Sequence, residues 1–140
     1  VALAQVERQD EIIKMRIEAG NSYTTAIEKS ELLSRQVPVP GTTGTFYTFS
    51  SKFNSEQSDV TWEAFRKKYM SFGGDGIYAA SKLLYQEPIF KQLKIGLATT
   101  PTAENLQKRI MNFTTNQLTS EEIEVQMEAM YKTRKYFGDL

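Results

Sequence analysis

Apolar side chains recur at helical spacing along most of this chain, and the runs are separated by proline and glycine. From about Ala2 to Gln36 there is no proline and no strand-like alternation, so the pattern predicts one long helix. At about 30 residues it would be roughly 45 Å long. One stripe runs through Val6, Ile13, Ile17 and Ile27, and a second through Ile12, Met15, Ala19, Tyr23 and Ala26. Two stripes predict contact on two sides, and Gly20-Asn21-Ser22 is the cheapest place for a kink.

Val37-Pro38-Val39-Pro40-Gly41 must stop that helix, because proline removes donors and pushes the preceding residue to extended geometry. From residue 37 to 58 the chain is poor in charge and rich in Thr, Ser and Gly, yet it carries Phe46, Tyr47, Phe49 and Phe53. Such a loop either folds back over the core, held by its aromatics and containing at most a short extended pair, or displays an adhesive surface. Core cover is the favoured reading of the two.

Between residues 59 and 98 the pattern returns to short helices. Ser58 or Asp59 can cap a helix whose stripe is Trp62, Phe65, Tyr69 and Phe72, and Gly73-Gly74-Asp75-Gly76 ends it. Ile77, Ala80 and Leu84 mark a following short helix, and Ile89, Phe90, Leu93 and Leu97 mark another beyond Glu87-Pro88. Thr100-Pro101 opens a helix carrying Ala103, Leu106, Ile110 and Phe113. A final helix starts at a capping box, Thr119 with Glu122, with Leu118 and Ile123 at the staple positions. Its core face would be Ile123, Met127, Met130 and Phe137, with Gly138 as terminator. The resulting expectation is an all-α fold: one domain over residues 1–140, an irregular helical bundle. Its parts are a long N-terminal helix (1–36), an ordered aromatic loop (37–58), a compact middle section of short helices (59–98) and a C-terminal helix pair (100–138).

Composition changes this picture mainly by subtraction. The 140 residues contain no histidine and no cysteine. That closes Ser-His-Asp and Cys-His nucleophiles, Cys/His zinc sites, thiol redox pairs and an imidazole switch. Seventeen basic residues balance seventeen acidic ones, so no global field steers the chain toward nucleic acid or anionic membrane. No run reaches the roughly 20 apolar residues of a membrane span. Valine stands first, and Ala2-Leu3-Ala4 reads equally as the end of a signal peptide or as an alanine-rich helix start. Export to the periplasm or outside the cell is the weakly favoured location, and the residues preceding Val1 would decide it. Asn112-Phe113-Thr114 fits a glycosylation acceptor but lies within a helical pattern.

Each candidate chemistry meets an adequate structural explanation. The glycine turn lacks the lysine and hydroxyl of a phosphate loop and the alternating oxygens of a calcium loop. Glu121, Glu122, Glu124 and Glu128 suit helix capping and dipole compensation better than a metal or acid-base site. Arg66, Lys67 and Lys68 fan away from Trp62 and Tyr69, so a cationic groove and a stacking platform would not coincide. No catalytic, cofactor-binding or metal-ligating residues are therefore assigned, and no small-molecule ligand is evident.

What remains is contact. Phe46, Tyr47, Phe49 and Phe53 in the loop, and Tyr131, Arg134 and Tyr136 on the last helix, are the candidate partner interface. The reading is a non-catalytic structural or protein-protein interaction subunit, not an enzyme, such as an exported secretion-apparatus, pilus or virion component. Its partners would be proteins, itself or other subunits, and nucleic acid is disfavoured. The alternatives are a small helical enzyme using two carboxylates on a glycan, and a nucleic-acid accessory protein.

Overall fold

The computed structural model describes residues 2–54, 56, 58–79, 82–96 and 99–140. Three strands stand where the sequence pattern predicts helix at 33–35 and 110–113 and, at 49–53, a loop with at most a short extended pair. The element order is α1 (Ala2–Glu7), α2 (Gln9–Ala26), β1 (Leu33–Arg35), β2 (Phe49–Phe53), α3 (Trp62–Ser71), α4 (Pro88–Leu93), α5 (Pro101–Gln107), β3 (Ile110–Phe113) and α6 (Ser120–Tyr136), with a short 3-10 turn at Leu84–Gln86. The fold is mixed α/β, and the all-α expectation is corrected. Val1, Ala80 and Leu97, which entered the sequence reading, lie outside the described residues.

β2 is the middle strand of an antiparallel sheet ordered β1-β2-β3. Leu33 faces Phe53, and Phe49, Ser51 and Lys52 face Phe113, Met111 and Ile110. Side chains alternate across a strand, so Phe49, Ser51 and Phe53 share one face with Met111 and Phe113, and all five are buried. Tyr78 adds a single bridge outside β3, exchanging backbone hydrogen bonds with Asn112 at 3.1 and 2.9 Å.

Helices cover that apolar face. α3 is capped by Thr61, whose hydroxyl accepts from the Ala64 N–H at 3.1 Å, in place of the expected Ser58 or Asp59. Its predicted stripe is real: Phe65 and Tyr69 are buried, while Trp62 and Phe72 pack half-buried against the core. The Trp62 indole donates to the Ile110 carbonyl at 3.0 Å, tying α3 to β3. Tyr23 from α2 stacks on Phe49 (5.2 Å, 17° between planes), Phe53 meets Phe65 (5.7 Å), and Tyr69 meets Phe113 edge-on (5.5 Å, 85°). The core is an aromatic layer between one sheet face and three helices.

The expected long first helix is cut short. α1 and α2 are separated at Arg8, α2 ends at Ala26, and the chain returns as β1 within seven residues. Only the C-terminal half of α2, with Ala19, Gly20 and Tyr23, is buried. The expected C-terminal helix pair is also corrected. α5 stops at Gln107, and Ile110 and Phe113, read as its helical face, belong to β3. The open edge of β2 gains more from a hydrogen-bonded neighbour than two more helical turns would supply.

α3 and α6 end alike. In each, a glycine with positive φ (Gly73 at 94°, Gly138 at 72°) follows the last turn. The N–H of the next residue then reaches back to the third-last helical carbonyl: Gly74 to Tyr69 (3.1 Å) and Asp139 to Arg134 (2.9 Å). Both are Schellman closures. The α6 start matches the predicted cap, with Thr119 Oγ1 accepting from the Glu122 N–H at 3.2 Å. The Glu122 carboxylate instead accepts from Leu118 N–H (2.6 Å), and Leu118 stays exposed.

Gly74 is crowded as well as a turn residue. A Cβ there would lie 2.3 Å from the Tyr69 ring, which is itself fully buried. Gly74→Ala should therefore cost about 1–3 kcal/mol, an overpacking penalty read as a lower midpoint in urea. Gly20→Ala meets the Phe46 ring at the same distance, but that ring is only half-buried. Its smaller loss of stability would confirm that the neighbour's freedom to move sets the cost.

Candidate functional site

The turn after α3 and the loop after β3 bring polar side chains together at one end of the sheet. Asp75 Oδ2 accepts from Thr114 Oγ1 (2.8 Å) and Gln117 Nε2 (3.0 Å), and the Asp75 N–H donates to Gln126 Oε1 (2.8 Å). Gln126 Oε1 also accepts from the Tyr69 hydroxyl (2.7 Å), which lies 3.2 Å from the Tyr23 hydroxyl. A cavity of about 370 Å³ opens beside this chain, lined by Gly73, Asp75, Gln117, Glu122, Val125 and Gln126 among others.

Asp75 and Glu122 are two carboxylates on one cavity, which is what glycan-cleaving chemistry requires. Both are committed to the chain's own donors, Asp75 to Thr114 and Gln117 and Glu122 to the Leu118 N–H. They hold a turn and a cap. Among the described residues no group of three or more acidic side chains is placed to hold a metal ion.

The two phenols are a buried polar pair. Burial raises the pKa of both Tyr23 and Tyr69 above the ordinary value of 10.0; their mutual contact lowers Tyr23 and raises Tyr69. The sign of the linkage follows. In the unfolded chain the phenols release protons near pH 10, while in the folded chain they keep them, so stability is complete below that pH and falls as pH rises above it. Alkaline titration of unfolding free energy should show this loss. Tyr23→Phe should flatten the slope above pH 10.

A second feature lies between α2 and α6. An open, mainly apolar groove of about 870 Å³ is bordered by Ile17, Ala26, Met127, Tyr131 and Arg134, with Lys14 and Glu18 at its edge. Beneath it Arg134 and Asp139 form a buried ion pair (Nε to Oδ2, 2.8 Å). Arg134 also donates to the Ala26 carbonyl and the Asp139 carbonyl, both at 2.6 Å. Asp139 accepts from Ser30 Oγ (2.6 Å) and from the N–H groups of Glu31 (2.6 Å) and Leu32 (3.2 Å).

The seven residues read as a partner interface do not share one surface. Phe49 and Phe53 are core residues of β2, and Arg134 is the buried ion-pair partner. Phe46, at φ 47°, lays its half-buried ring over Gly20. Tyr47 is exposed and sits on the Arg16 guanidinium, 5.3 Å from its ring centre. Tyr131 is exposed at the groove, and Tyr136 is exposed with Lys68 Nζ 3.8 Å from its ring centre. Asn112 of the glycosylation triplet lies within β3 and accepts from Ser50 Oγ at 2.8 Å. No helix among the described residues is long and apolar enough to cross a membrane.

Sequence reasoning read the segment between Tyr78 and α5 as short helices of a compact middle section, marked by Leu84, Ile89 and Leu93 among others; those three side chains and Ile95 stay exposed.

No family model matches this chain, and no curated protein does. Solved structures do. An aminotransferase from Psychrobacter cryohalolentis superposes on 96% of this chain and 37% of its own, with a TM-score of 0.81 at 15% identity. The chain folds like aminotransferases. The Helicobacter pylori aminotransferase involved in the biosynthesis of pseudoaminic acid matches with a TM-score of 0.76 at 16% identity, over 96% of this chain and 36% of that one. A sugar aminotransferase from Micromonospora echinospora gives 0.75 at 15%, over 92% and 32%. The chain thus spans about a third of the length of these solved relatives in fold.

This likeness overturns the reading of a non-catalytic assembly component of the secretion, pilus or virion kind. That reading rested on depleted side-chain chemistry, a long two-faced helix, aromatics in a polar loop and neutral charge, whereas the fold here is one that solved enzymes carry over about a third of their length.

Proposed function

We propose that this chain is the smaller sheet-and-helix unit of an enzyme that transfers an amino group to a sugar. One observation carries the reading: nearly all of the chain, and not a single motif within it, superposes on aminotransferases whose names specify sugar chemistry. The missing histidine and cysteine do not oppose it. Amino transfer runs on a pyridoxal-type cofactor, held through a lysine and an Asp or Arg partner, and neither histidine nor thiol is needed for that.

The described residues do not themselves fit such a cofactor. Every described lysine is exposed or half-buried. The buried Arg134 and Asp139 satisfy one another, and the glycine turn at 73–76 leads to an extended segment, not into a helix. The role proposed for this chain is therefore to supply a rigid body beside the reacting centre, with the cofactor held by other residues of the enzyme.

The test uses the polypeptide as its gene encodes it, supplied with pyridoxal phosphate, glutamate and a keto sugar. Formation of the amino sugar and of 2-oxoglutarate in equal amounts is the expected result. A folded protein that transfers no amino group to any keto sugar of a representative set would contradict the proposal.

A further inference from the structure

One buried amide is only half satisfied. Gln126 is 5% exposed, and its Oε1 accepts from both the Tyr69 hydroxyl (2.7 Å) and the Asp75 N–H (2.8 Å). Two donors on that oxygen fix which end of the amide is which, so the other end is an N–H donor. Among the described residues Gln126 Nε2 has no hydrogen-bond partner, and it is not one of the sealed unpartnered atoms, which are Arg109 Nε and Gln117 Oε1. It therefore opens onto space, and the space that Gln126 lines is the cavity of about 370 Å³ at the end of the sheet. The fold itself supplies nothing for this group of an otherwise buried side chain to bond.

The rest of the lining is negative. Asp75 and Glu122 each commit one oxygen to the chain's own donors: Oδ2 of Asp75 to Thr114 and Gln117, and Oε2 of Glu122 to the Leu118 N–H. Asp75 Oδ1 and Glu122 Oε1 receive no donor from the described residues, and neither carboxylate has an ion-pair partner among them. Among the described residues no lysine or arginine lines the cavity. Gln117, also 5% exposed, adds a carbonyl oxygen that no donor reaches. Two exposed carboxylates by themselves would simply be met by water. Beside a buried amide that holds out N–H groups, they become fixed acceptors facing a fixed donor. Leu118 and Val125, 67% and 48% exposed, give the same cavity an apolar side.

A ligand that satisfies this set carries a positive N–H donor for the carboxylates, an oxygen acceptor for Gln126 Nε2, and C–H surface for Leu118 and Val125. A bare metal ion does not, because Gln126 presents hydrogens to the cavity and only two carboxylates line it. We infer that the cavity binds a small primary ammonium compound with a hydroxyl beside its nitrogen, a vicinal amino alcohol. The ammonium lies against Asp75 and Glu122, and the hydroxyl oxygen accepts from Gln126 Nε2. The inference goes beyond amino transfer and stands on the cavity alone, whether or not the chain has that activity.

Calorimetric titration of the gene-encoded polypeptide with glucosamine, whose ammonium stands beside hydroxyls, tests it. Saturable binding is expected, weaker by about tenfold or more for glucose and N-acetylglucosamine, which lack the positive nitrogen. Glu122→Gln keeps an oxygen for the Leu118 N–H, and Asp75→Asn keeps one for Thr114 and Gln117, but each turns an amide N–H toward the ammonium. Both should weaken glucosamine by about tenfold or more and leave the melting temperature unchanged. Glu122→Gln decides alone if Asp75→Asn loosens the turn. No saturable binding, equal binding of glucose, or undiminished affinity in Glu122→Gln would each overturn the inference, the last by placing the sugar at another site such as the reacting centre. Calcium that displaces glucosamine from the wild type would overturn it too, marking a cation site. Amino transfer is measured on the same preparation: transfer without this binding sinks only this inference, and binding without transfer sinks only the proposed activity.

Discussion

Asp139→Ala should cost the fold about 3–5 kcal/mol, the range for breaking a buried ion pair by removing one partner, with a fall in melting temperature on the order of 10 °C or more. The substitution strands more than one group. Arg134 would remain buried with no opposite charge, and Ser30, Glu31 and Leu32 would lose the carboxylate that collects their donors. Those three residues form the link between α2 and β1, so the last turn of α6 clamps the entry to the sheet. The clamp follows from local chemistry: Gly138 at positive φ closes the helix and turns Asp139 back over Arg134. Arg134→Met should cost less, because Asp139 keeps three donors and the thioether chain fills part of the vacated volume. Urea unfolding of both variants checks the order. Equal, small losses would mean that the clamp does not secure the sheet.

Phe49→Ala should lower stability by about 3–5 kcal/mol, whereas Tyr47→Ala, two residues away, should lower it by no more than about 1 kcal/mol. Phe49 is 2% exposed, stacked on Tyr23 and close to Phe46 and Phe113. Tyr47 is 82% exposed and gains only the Arg16 cation over its ring. Chemical denaturation of the two single variants measures the contrast directly. If both substitutions were near neutral, the 37–58 segment would be a displayed loop and β2 would not be the centre of a sheet.

This contrast shows why part of the fold was hard to read. Phe49-Ser50-Ser51-Lys52-Phe53 does alternate, with one aromatic at each end of the buried face. Ser51 in the middle and the neighbouring Phe46 and Tyr47 blur that alternation into an aromatic-rich polar loop. β1 has three residues and β3 four, shorter than any window in which a period of two can be told from one of 3.6. At Ala103, Leu106, Ile110 and Phe113 the helical spacing is good, but the chain leaves the helix before Ile110 because β2 offers hydrogen bonds along its open edge. Some local signals were legible, although the α3 cap fell on Thr61 and Leu118 stayed exposed. The α3 stripe, the Thr119 cap and the Gly138 terminator are each properties of adjacent residues. The polar chain from Tyr23 through Tyr69 and Gln126 to Asp75 joins three distant segments, α2, α3 with its closing turn, and α6, and no spacing rule connects them.

The likeness to aminotransferases and the aromatic core both depend on β2 lying between β1 and β3 in the stated register. Backbone nuclear Overhauser effects on the isotopically labelled chain measure that most directly. The account predicts cross-strand contacts between Ser51 and Met111 and between Leu33 and Phe53, with extended-chain patterns over residues 110–113. A continuous helical pattern from Pro101 through Phe113, with no contact from that segment to residues 49–53, would contradict it.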